Sequence, residues 1–424
     1  MSTSEKKEPR KDLYGIVQRG EEQSLRLPRE FWDRQDQWTL KFPKSWKIRV
    51  SRMWGDALKP KTLKEIGDRL ENPLGTRSLR DLARGRKEAV IVVDDMTRPT
   101  RAEPLAGYIV NQLLEAGIKQ DNIRFILSLG SHGAHGQDDF RKKLGSALVE
   151  NYRVYNHNCY ENCTYAGETR RGLPLMINSE FMKCDLKIDI GAVLPHLYVG
   201  YSGGGKIVLP GLAHMDTIDR FHSSLLPDQK GKVGDLNPLC GDIEDAVRLV
   251  GLDFKIDVLV NTRGEVVDLY AGAPDDVYGQ AVTAAQQIYR SDFHEDQDIV
   301  VTNAHLKANE GDIAMLLGFK SLRKTGGICV LLMNAPKGQM THYLMRSFGK
   351  YTGGRQWVTR SRLPEGTELI VLSEYKDMTS FDSFDSQESI VWMSSWKDVL
   401  KHLKARFPGK AKVAVYPDGT IQYV

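Results

Sequence analysis

The amino-acid sequence predicts an α/β fold made of two α/β domains, each with a Rossmann-like, mostly parallel sheet. Short β-branched segments alternate with helical patterns along the chain, which is typical of this class. The chain has 424 residues, of which 41% are apolar, so it is long enough for two or three cores of ordinary size.

The first domain is predicted over residues 1–290, with a polar head over residues 1–12 that we expect to be flexible. A strand, a helix and a second strand follow one another, which indicates a doubly wound sheet. A further strand leads directly into a glycine-rich segment. The predicted elements are a buried strand over residues 89–93, a helix over 104–115 that ends at Gly117, and strands over 123–129 and 186–190.

The second domain is predicted over residues 291–424, after a helix over residues 275–289 and a polar linker over 291–298. Its strands are predicted at residues 299–302, 328–333 and 368–372, and its last helix at 396–407. Ligand sites commonly lie between domains, so we expect the active site in the interdomain cleft.

Charge and hydropathy argue against several classes of function. The net charge is +4 and no basic tract lies beyond the short head, so nucleic acid is not an expected partner. The head lacks the apolar core of a secretory signal, and no later segment approaches the length of a membrane span. We therefore expect a cytoplasmic protein with a small-molecule partner, whose oligomeric state the sequence leaves open.

The cysteines indicate reduced thiols, because there are five of them at scattered positions. One group, His157, Cys159 and Cys163, raises the alternative of a metal site. No fourth ligand follows at zinc-site spacing, so we favour a packing role for these three residues.

Polar loops follow three of the predicted strands, at residues 94–100, 131–136 and 195–206. In open α/β sheets, ligands bind at the carboxyl ends of the strands, so these loops are expected to share a site. The first loop places Arg98 after two carboxylates, where it can bind a carboxylate or phosphate in a bidentate way. A salt-bridged turn explains that loop equally well.

The third loop is dense in glycine and ends in a lysine. Residues Gly200 to Lys206 nearly satisfy the phosphate-binding signature of nucleotide hydrolases, but Ile207 stands where a magnesium-binding hydroxyl is required. The amides of this loop and Lys206 still suit an anion. A tight turn between a strand and a helix is the alternative, although it explains neither His196 nor Lys206.

Two histidines lie in these loops, His132 in the second and His196 in the third. Histidine titrates near neutral pH, so both are predicted general acid/base groups. A lone histidine is more often structural, but two at strand ends beside an anion-binding loop favour catalysis.

Together these residues resemble the lactate racemase family of nickel-pincer-nucleotide enzymes, from about Tyr14 through the second domain. The run from Asp95 to Thr100 is similar to the Asp-x-x-Arg segment of that family. His132 and His196 resemble its two catalytic histidines. Lys206 resembles the lysine that attaches the cofactor through a thioamide, and His222, sixteen residues further on, the nickel-binding histidine.

The resemblance implies an isomerase, a racemase or epimerase of a 2-hydroxy acid, with Ni(II) held by the nickel-pincer nucleotide. This cofactor is pyridinium-3-thioamide-5-thiocarboxylic acid mononucleotide. It would accept hydride from the substrate, giving a 2-oxo acid, since side chains do not accept hydride. The two histidines would exchange the hydroxyl proton on opposite sides of the substrate, Arg98 would hold its carboxylate, and Asp95 would orient Arg98 or a histidine. Further cofactor contacts are expected from Thr97, Thr100, Tyr201, Ser202, Gly203, Gly204 and Gly205.

The sequence departs from the lactate-specific pattern in the second domain. Lactate-specific members carry a glutamine followed three residues later by a lysine near the substrate. Here Lys320 is predicted to take the place of that lysine, but Leu317 replaces the glutamine. The loss of an amide beside the substrate weakens the case for lactate itself. Residues 303–307 supply other polar groups, so a longer or more apolar 2-hydroxy acid is as consistent as lactate, and a sugar acid or a dicarboxylate stays open as an alternative.

Two other functions remain as alternatives. A phosphate-binding transferase or nucleotide hydrolase would use Gly200 to Lys206 and need magnesium. A non-catalytic binding protein would keep its ligand affinity after loss of either histidine.

Overall fold

The computed structural model describes residues 14–34, 36–224, 237–344, 363–377 and 390–424. The predicted flexible head over residues 1–12 lies outside these residues. Within them the strands are β1 (Val17–Arg19), β2 (Glu22–Pro28), β3 (Gln37–Pro43), β4 (Lys47–Val50), β5 (Ala89–Asp94), β6 (Ile123–Ser128), β7 (Arg153–Asn156), β8 (Cys163–Glu168), β9 (Pro174–Asn178), β10 (Leu186–Ala192), β11 (Pro195–His196), β12 (Gly200–Tyr201), β13 (Phe254–Val260), β14 (Val266–Gly272), β15 (Ile299–Asn303), β16 (Ile328–Leu332), β17 (Glu368–Leu372), β18 (Ile390–Met393) and β19 (Lys412–Tyr416).

The helices of the same residues are α1 (Leu63–Glu71), α2 (Leu79–Ala83), α3 (Glu103–Glu115), α4 (Gln137–Leu144), α5 (Ser146–Asn151), α6 (Ser179–Lys183), α7 (Met215–Ser223), α8 (Pro238–Val250), α9 (Pro274–Ile288), α10 (Ile313–Ser321) and α11 (Trp396–Arg406). None of the helices described here is long and apolar enough to cross a membrane.

The first large sheet has the strand order β14-β13-β10-β5-β6-β7, and all of its pairs are parallel except β13 with β14. Its central strand β5 is buried along its whole length, as expected for a parallel strand covered on both faces. Alternate residues of β5 enter two cores, with Ile91 and Val93 on one face and Val90 and Val92 on the other. From β5 the chain continues to β6 and β7 on one side of β5, whereas β10 and β13 lie on the other side of β5 in the sheet.

The second large sheet is parallel throughout and has the order β18-β17-β16-β15-β19-β4. From β15 the chain adds β16, β17 and β18 on one side, and β19 then pairs with β15 on the other side, so the strand order reverses at β15. In each sheet such a reversal leaves a crevice between the loops that follow the two adjacent strands, and ligands bind there. The loops after β5 and β10 flank the crevice of the first sheet, and the loop after β15 borders that of the second.

The N-terminal segment packs on the second sheet. Strand β4 pairs in parallel with β19, and the small antiparallel sheet β1-β2-β3 buries Leu25, Leu40 and Phe42 in the same core as Ile299 and Val301. The division at residue 290 stays a prediction. The sheet topology adds that the chain before β5 contributes to the second sheet, which alternation of strands and helices along the sequence does not reveal.

The predicted α/β class, with its mostly parallel sheets, is confirmed. The predicted strands at residues 89–93, 123–129, 186–190, 299–302, 328–333 and 368–372 correspond to β5, β6, β10, β15, β16 and β17, and the predicted helices at 104–115, 275–289 and 396–407 to α3, α9 and α11. The boundaries differ by one or two residues, which is the normal fraying of element ends.

Candidate active site

The loop after β5 is anchored by the buried carboxylate of Asp94. One oxygen of Asp94 accepts a hydrogen bond from Lys143 Nζ at 2.9 Å, and the other accepts bonds from Thr100 Oγ1 at 2.7 Å and Ala192 N at 2.9 Å. Lys143 Nζ also donates to the carbonyl of Arg98 at 2.9 Å. The last turn of α4 and strand β10 therefore fix the backbone that presents the next residues of this loop.

Asp95 and His132 form a close pair between neighbouring loops. Asp95 Oδ2 lies 2.5 Å from His132 Nδ1, and Asp95 Oδ1 accepts hydrogen bonds from the amide and hydroxyl of Thr97 at 2.9 and 2.5 Å. Burial acts to raise the pKa of Asp95, but His132, His135 and Arg98 outweigh it and hold that pKa well below its ordinary value. Asp95 is thus a carboxylate, and its bond to Nδ1 leaves His132 Nε2 for proton exchange.

Arg98 reaches the second sheet. Its Nη1 donates to Glu310 Oε2 at 3.1 Å, and Lys307 Nζ lies 2.7 Å from the same oxygen. Both partners belong to the 3₁₀ segment His305–Glu310 that follows β15. The reversal points of the two sheets therefore face each other across these charged residues, which agrees with the expected site between the predicted domains.

His196 and Lys206 form a second pair, with Nε2 of His196 2.8 Å from Lys206 Nζ. The Nδ1 atom of His196 accepts a hydrogen bond from the amide of Tyr198 at 3.1 Å. A neutral imidazole that accepts at Nδ1 carries its proton on Nε2, so His196 donates to Lys206, whose amine must supply a lone pair. Burial and, next, Lys206 lower the pKa of His196, and burial and Arg98 lower that of Lys206. Burial therefore disfavours the charged form of both groups.

His222 presents a free nitrogen on α7. Its Nδ1 lies 2.8 Å from the carbonyl of Ile218, so Nδ1 is the protonated nitrogen and Nε2 keeps a lone pair. The ring packs edge-on against Phe221 and Tyr198, with centroids 5.2 and 5.8 Å apart. Burial lowers the pKa of His222 to about 4, with a smaller effect from Lys206. The lone pair on Nε2 is one that could hold a metal ion.

The glycine loop, predicted as an anion cradle, is packed closely against the rest of the protein. The Gly204 amide donates to the buried carboxylate of Asp257 at 3.1 Å. A Cβ atom on Gly203, Gly204 or Gly205 would lie within 2.6 Å of a neighbouring side chain, respectively Val193, Tyr278 and Val247. The glycines are needed because the loop packs tightly between helices α8 and α9 and the sheet. Close packing explains these glycines, and only Lys206 at the end of the loop faces the other site residues.

The side chains predicted to contact the cofactor through hydroxyls are also engaged within the protein. Thr97 Oγ1 bonds Asp95, and Thr100 Oγ1 bonds Asp94. Ser202 Oγ donates to the carbonyl of Ala192 and accepts from the amide of Leu194, each at 3.0 Å, while Tyr201 is fully buried in the core. Their contacts support a role in shaping the loops. The buried Ile207 likewise leaves the nucleotide-hydrolase alternative without a magnesium ligand.

Substituting alanine at Gly204 is expected to destabilise the protein by about 1–3 kcal/mol. The backbone has a φ of +55°, and the new Cβ would lie 2.4 Å from the ring of Tyr278. Gly279 on the same helix as Tyr278 is the control, because a Cβ there meets no atom within 4 Å. Its alanine variant is expected to gain about 0.5–1 kcal/mol. Urea unfolding of both variants checks this, and equal stability of the two would refute the packing explanation.

Lys320 is not brought to the site. It is exposed in the last turn of α10, two residues before Leu322, whose backbone pairs with Gln297 ahead of β15. It therefore lies at the end of the second sheet away from the other candidates. The predicted placement is wrong because α10 begins at the site and runs away from it. Lys307, buried and adjacent to Arg98, supplies the cation instead.

Two further residues of the site were missed from the sequence, Glu310 and His342, whereas Lys307 belongs to the segment 303–307 that was expected to supply polar groups. Glu310 follows the buried strand β15, so the strand-end argument applied to the second domain would have found it. His342 pairs its backbone with His132, and its ring stacks edge-on at 5.0 Å. Burial lowers the pKa of His342 to about 3, with a further contribution from His132. No local pattern around residue 342 indicates this contact.

His157 has a structural role, as the packing interpretation of the group with Cys159 and Cys163 predicted. Its Nε2 donates to the carbonyl of Ala213 at 2.9 Å, and its Nδ1 accepts from Asn178 at 3.1 Å. In the residues that the structure describes, no cluster of three or more His, Cys, Asp and Glu side chains has the arrangement of a metal site. His214, the residue before α7, caps that helix: its Nδ1 accepts a hydrogen bond from the Asp216 amide at 3.1 Å.

Acidification is expected to destabilise the fold through His157. Burial lowers its pKa to about 4, while in the unfolded chain it titrates near the ordinary value of about 6.5. The unfolded state takes up the proton first, so the stability is present above about pH 6.5 and is lost as the pH falls toward 4. At pH 5 the loss is about 2 kcal/mol. His157→Gln should reduce the fall in urea-unfolding free energy between about pH 7.5 and 5 by that amount, and an unchanged fall would contradict it.

Two residues have the chemistry that the nickel-pincer nucleotide, implied by the resemblance, would need. Lys206 offers an uncharged amine, which is the form that can be acylated, and His222 offers an unprotonated Nε2 beside it. Tyr198 connects His222 to the neighbour of Lys206, since its ring packs on His222 and its amide bonds His196.

Sequence comparisons with known proteins find similarity to lactate racemases. Residues 34–234 match the model of the lactate racemase N-terminal domain. The lactate racemase of Thermoanaerobacterium thermosaccharolyticum is 25% identical over 326 residues, which cover 75% of this chain and 74% of that protein. The lactate racemase of Lactiplantibacillus plantarum is 29% identical over 208 residues, or 48% of this chain and 49% of that protein.

Two solved structures share the fold. The lactate racemase apoprotein of Thermoanaerobacterium thermosaccharolyticum aligns with a TM-score of 0.70 and 22% identity, covering 95% of this chain and 99% of that one. A protein from Thermotoga maritima aligns with a TM-score of 0.64 and 18% identity, covering 86% and 98%. The domain match and the curated relatives show that the chain is similar to lactate racemases, and the solved structures show that it shares their fold.

Proposed function

We propose that this chain is a nickel-pincer-nucleotide-dependent racemase or epimerase of a 2-hydroxy acid. One observation carries the proposal. In the first sheet β5 lies between β10 and β6, so the loop with Arg98 lies between the loops with His196 and His132. A substrate whose carboxylate is bound by Arg98 would then have a histidine loop on either side, as inversion of a carbon centre requires. The cytoplasmic location and the small-molecule partner belong to the same proposal.

The two histidines start the reaction in complementary states. His132 holds its Nδ1 against Asp95 and offers a basic Nε2, so it takes the proton of the substrate hydroxyl. His196 carries a proton on Nε2 and can hydrogen-bond to the oxygen of the 2-oxo acid; it would return a proton to that oxygen from its imidazolium form, after protonation at Nδ1, so that a neutral ring is left. The reverse reaction exchanges these roles. Asp95 favours His132 in its protonated state after the transfer.

Lys206 and His222 would hold the cofactor, through an amide-type bond to the amine and through Nε2 to the nickel ion. When bound, the cofactor supplies the hydride acceptor that no side chain offers. Attachment of Lys206 would release His196 Nε2 from its hydrogen bond to the amine.

The proposal is tested by purifying the protein from cells that make the cofactor. Bound nickel is measured together with intact mass and peptide mapping around Lys206, and chiral 2-hydroxy acids are then screened for loss of optical purity. Stoichiometric nickel with added mass on Lys206 and inversion of a 2-hydroxy acid is the expected result. A folded protein with neither nickel nor adduct would overturn the cofactor assignment.

His222→Ala is expected to lose bound nickel while it keeps the adduct on Lys206. The variant removes the nitrogen lone pair that we assign to the metal, and it leaves the amine in place. His214→Ala is the matched control, because His214 lies on the same helix but bonds to Asp216 and to the carbonyl of Tyr160. Metal analysis of both proteins is decisive: nickel retained in His222→Ala, or lost in His214→Ala, would contradict the assignment.

A further inference from the structure

One carboxylate is shared by two cations at the crevice between the sheets. Glu310 Oε2 lies 3.1 Å from Arg98 Nη1 and 2.7 Å from Lys307 Nζ. The Lys307 side chain is 4% exposed and that of Arg98 14%, so both charges are largely withdrawn from water. Burial acts to raise the pKa of Glu310, but Lys307 and Arg98 lower it to about 2, so the carboxylate is charged at every pH of interest.

Arg98 still has an unused edge for a ligand. Its hydrogen bonds to the described residues all leave from Nη1, to the carbonyl of Thr97 at 3.1 Å, its hydroxyl at 2.7 Å, and Glu310. Nε and Nη2 can therefore bind a substrate carboxylate in a bidentate way. Glu310 thus fixes the guanidinium without occupying the whole of it.

Charge balance then limits what else the site accepts. Glu310 pairs with Lys307, and the Asp95 carboxylate adds a further negative charge near Arg98, so once a substrate carboxylate is bound to Arg98 none of these cations is left unpaired for a second carboxylate. A second carboxylate on the substrate would have to approach Lys307 on the side where Glu310 already lies. Like charges placed together in a buried site are strongly unfavourable.

We propose that Glu310 restricts the site to 2-hydroxy monocarboxylic acids, because it occupies the position in which the second carboxylate of a dicarboxylic acid would meet Lys307 and Arg98. This inference rests on the proposed function. It makes Glu310 a specificity-determining residue, and it assigns Lys307 to holding Glu310 in place. The missing amide at Leu317 bears on the rest of the substrate and not on this charge balance.

Glu310→Gln tests the inference, because glutamine keeps the shape of the side chain and removes its charge. The loaded enzyme is assayed with lactate, 2-hydroxybutyrate and malate. In the wild type kcat/KM for malate should be the lowest, and the variant should raise the ratio of malate to 2-hydroxybutyrate about tenfold or more. Glu374→Gln is the matched control, since Glu374 also bridges two cations, Arg29 and Arg34, away from the site. That variant should leave the ratio unchanged.

Binding to the unloaded protein separates this inference from the proposed function. By calorimetry the wild type should bind malate about tenfold or more weakly than 2-hydroxybutyrate, and Glu310→Gln should remove that difference. A wild type that binds or converts malate as well as 2-hydroxybutyrate would overturn the inference even if the racemase activity is found. An unchanged ratio in a folded Glu310→Gln protein would do the same. Failure to convert any 2-hydroxy acid, with the binding difference intact, would instead count against the proposed function alone.

Discussion

Lys206→Arg is expected to abolish attachment of the cofactor and, with it, racemase activity. Arginine stays charged at any accessible pH and has no amine lone pair, whereas burial lowers the pKa of Lys206 and favours the uncharged amine, 2.8 Å from His196 Nε2. Intact mass and peptide mapping of protein from cofactor-producing cells measure the loss directly. The exposed Lys324 provides the control, and Lys324→Arg should carry the adduct as the wild type does.

The charge of the Lys206 amine can also be measured in the protein without cofactor. At about pH 7 an uncharged amine reacts with acylating reagents, whereas an ordinary lysine is almost entirely protonated. Lys206 is partly accessible and should be labelled faster than Lys324 in a competitive acetylation. Slower labelling of Lys206 than of Lys324 would show that the amine is charged. An adduct found at some other residue of Lys206→Arg would show that Lys206 is not the attachment point.

The sequence was sufficient for those site residues that lie directly after a strand. A continuous apolar run predicts a buried parallel strand, and polar residues just beyond it must lie at the carboxyl edge of the sheet. For this reason Asp95, Arg98, His132 and His196 could be assigned to one site from the pattern of residues alone. The prediction that His222 is close to them depended on a resemblance, since its position on α7 follows from tertiary packing.

The remaining errors have physical causes that act between distant segments. Glycines 203–205 are required by side chains of α8, α9 and the residue after β10, which lie far away in sequence. His342 reaches His132 through pairing of two loops. Strand β4 joins β19 across most of the chain. In each case the partner determines the role of the residue, and composition or spacing within one segment carries no information about that partner.

Asp95→Asn is expected to lower kcat by about 10²–10⁴-fold while KM changes little, the range usual for loss of a general acid/base. An asparagine that turns its amide toward His132 Nδ1 donates a hydrogen bond where the carboxylate accepted one. The imidazole proton then moves to Nε2, the atom that must be basic for His132 to take the hydroxyl proton. Arg98 would keep its contacts to Thr97 and Glu310, so substrate binding should largely persist.

Measuring kcat/KM from each of the two enantiomers tests this prediction further. Two enantiomers have equal free energy, so kcat/KM of a racemase is the same in both directions, and a substitution must lower both values by one factor. We would measure kcat and KM from each enantiomer, with nickel content and the Lys206 adduct confirmed for every protein. Asp138→Asn, whose side chain is 83% exposed, serves as the control. A loss of kcat below about threefold in Asp95→Asn would show that His132 does not depend on this carboxylate for its basic nitrogen. Wild-type kcat/KM values that differ between the two directions would instead mean that the substrate and product are diastereomers, and that the chain is an epimerase.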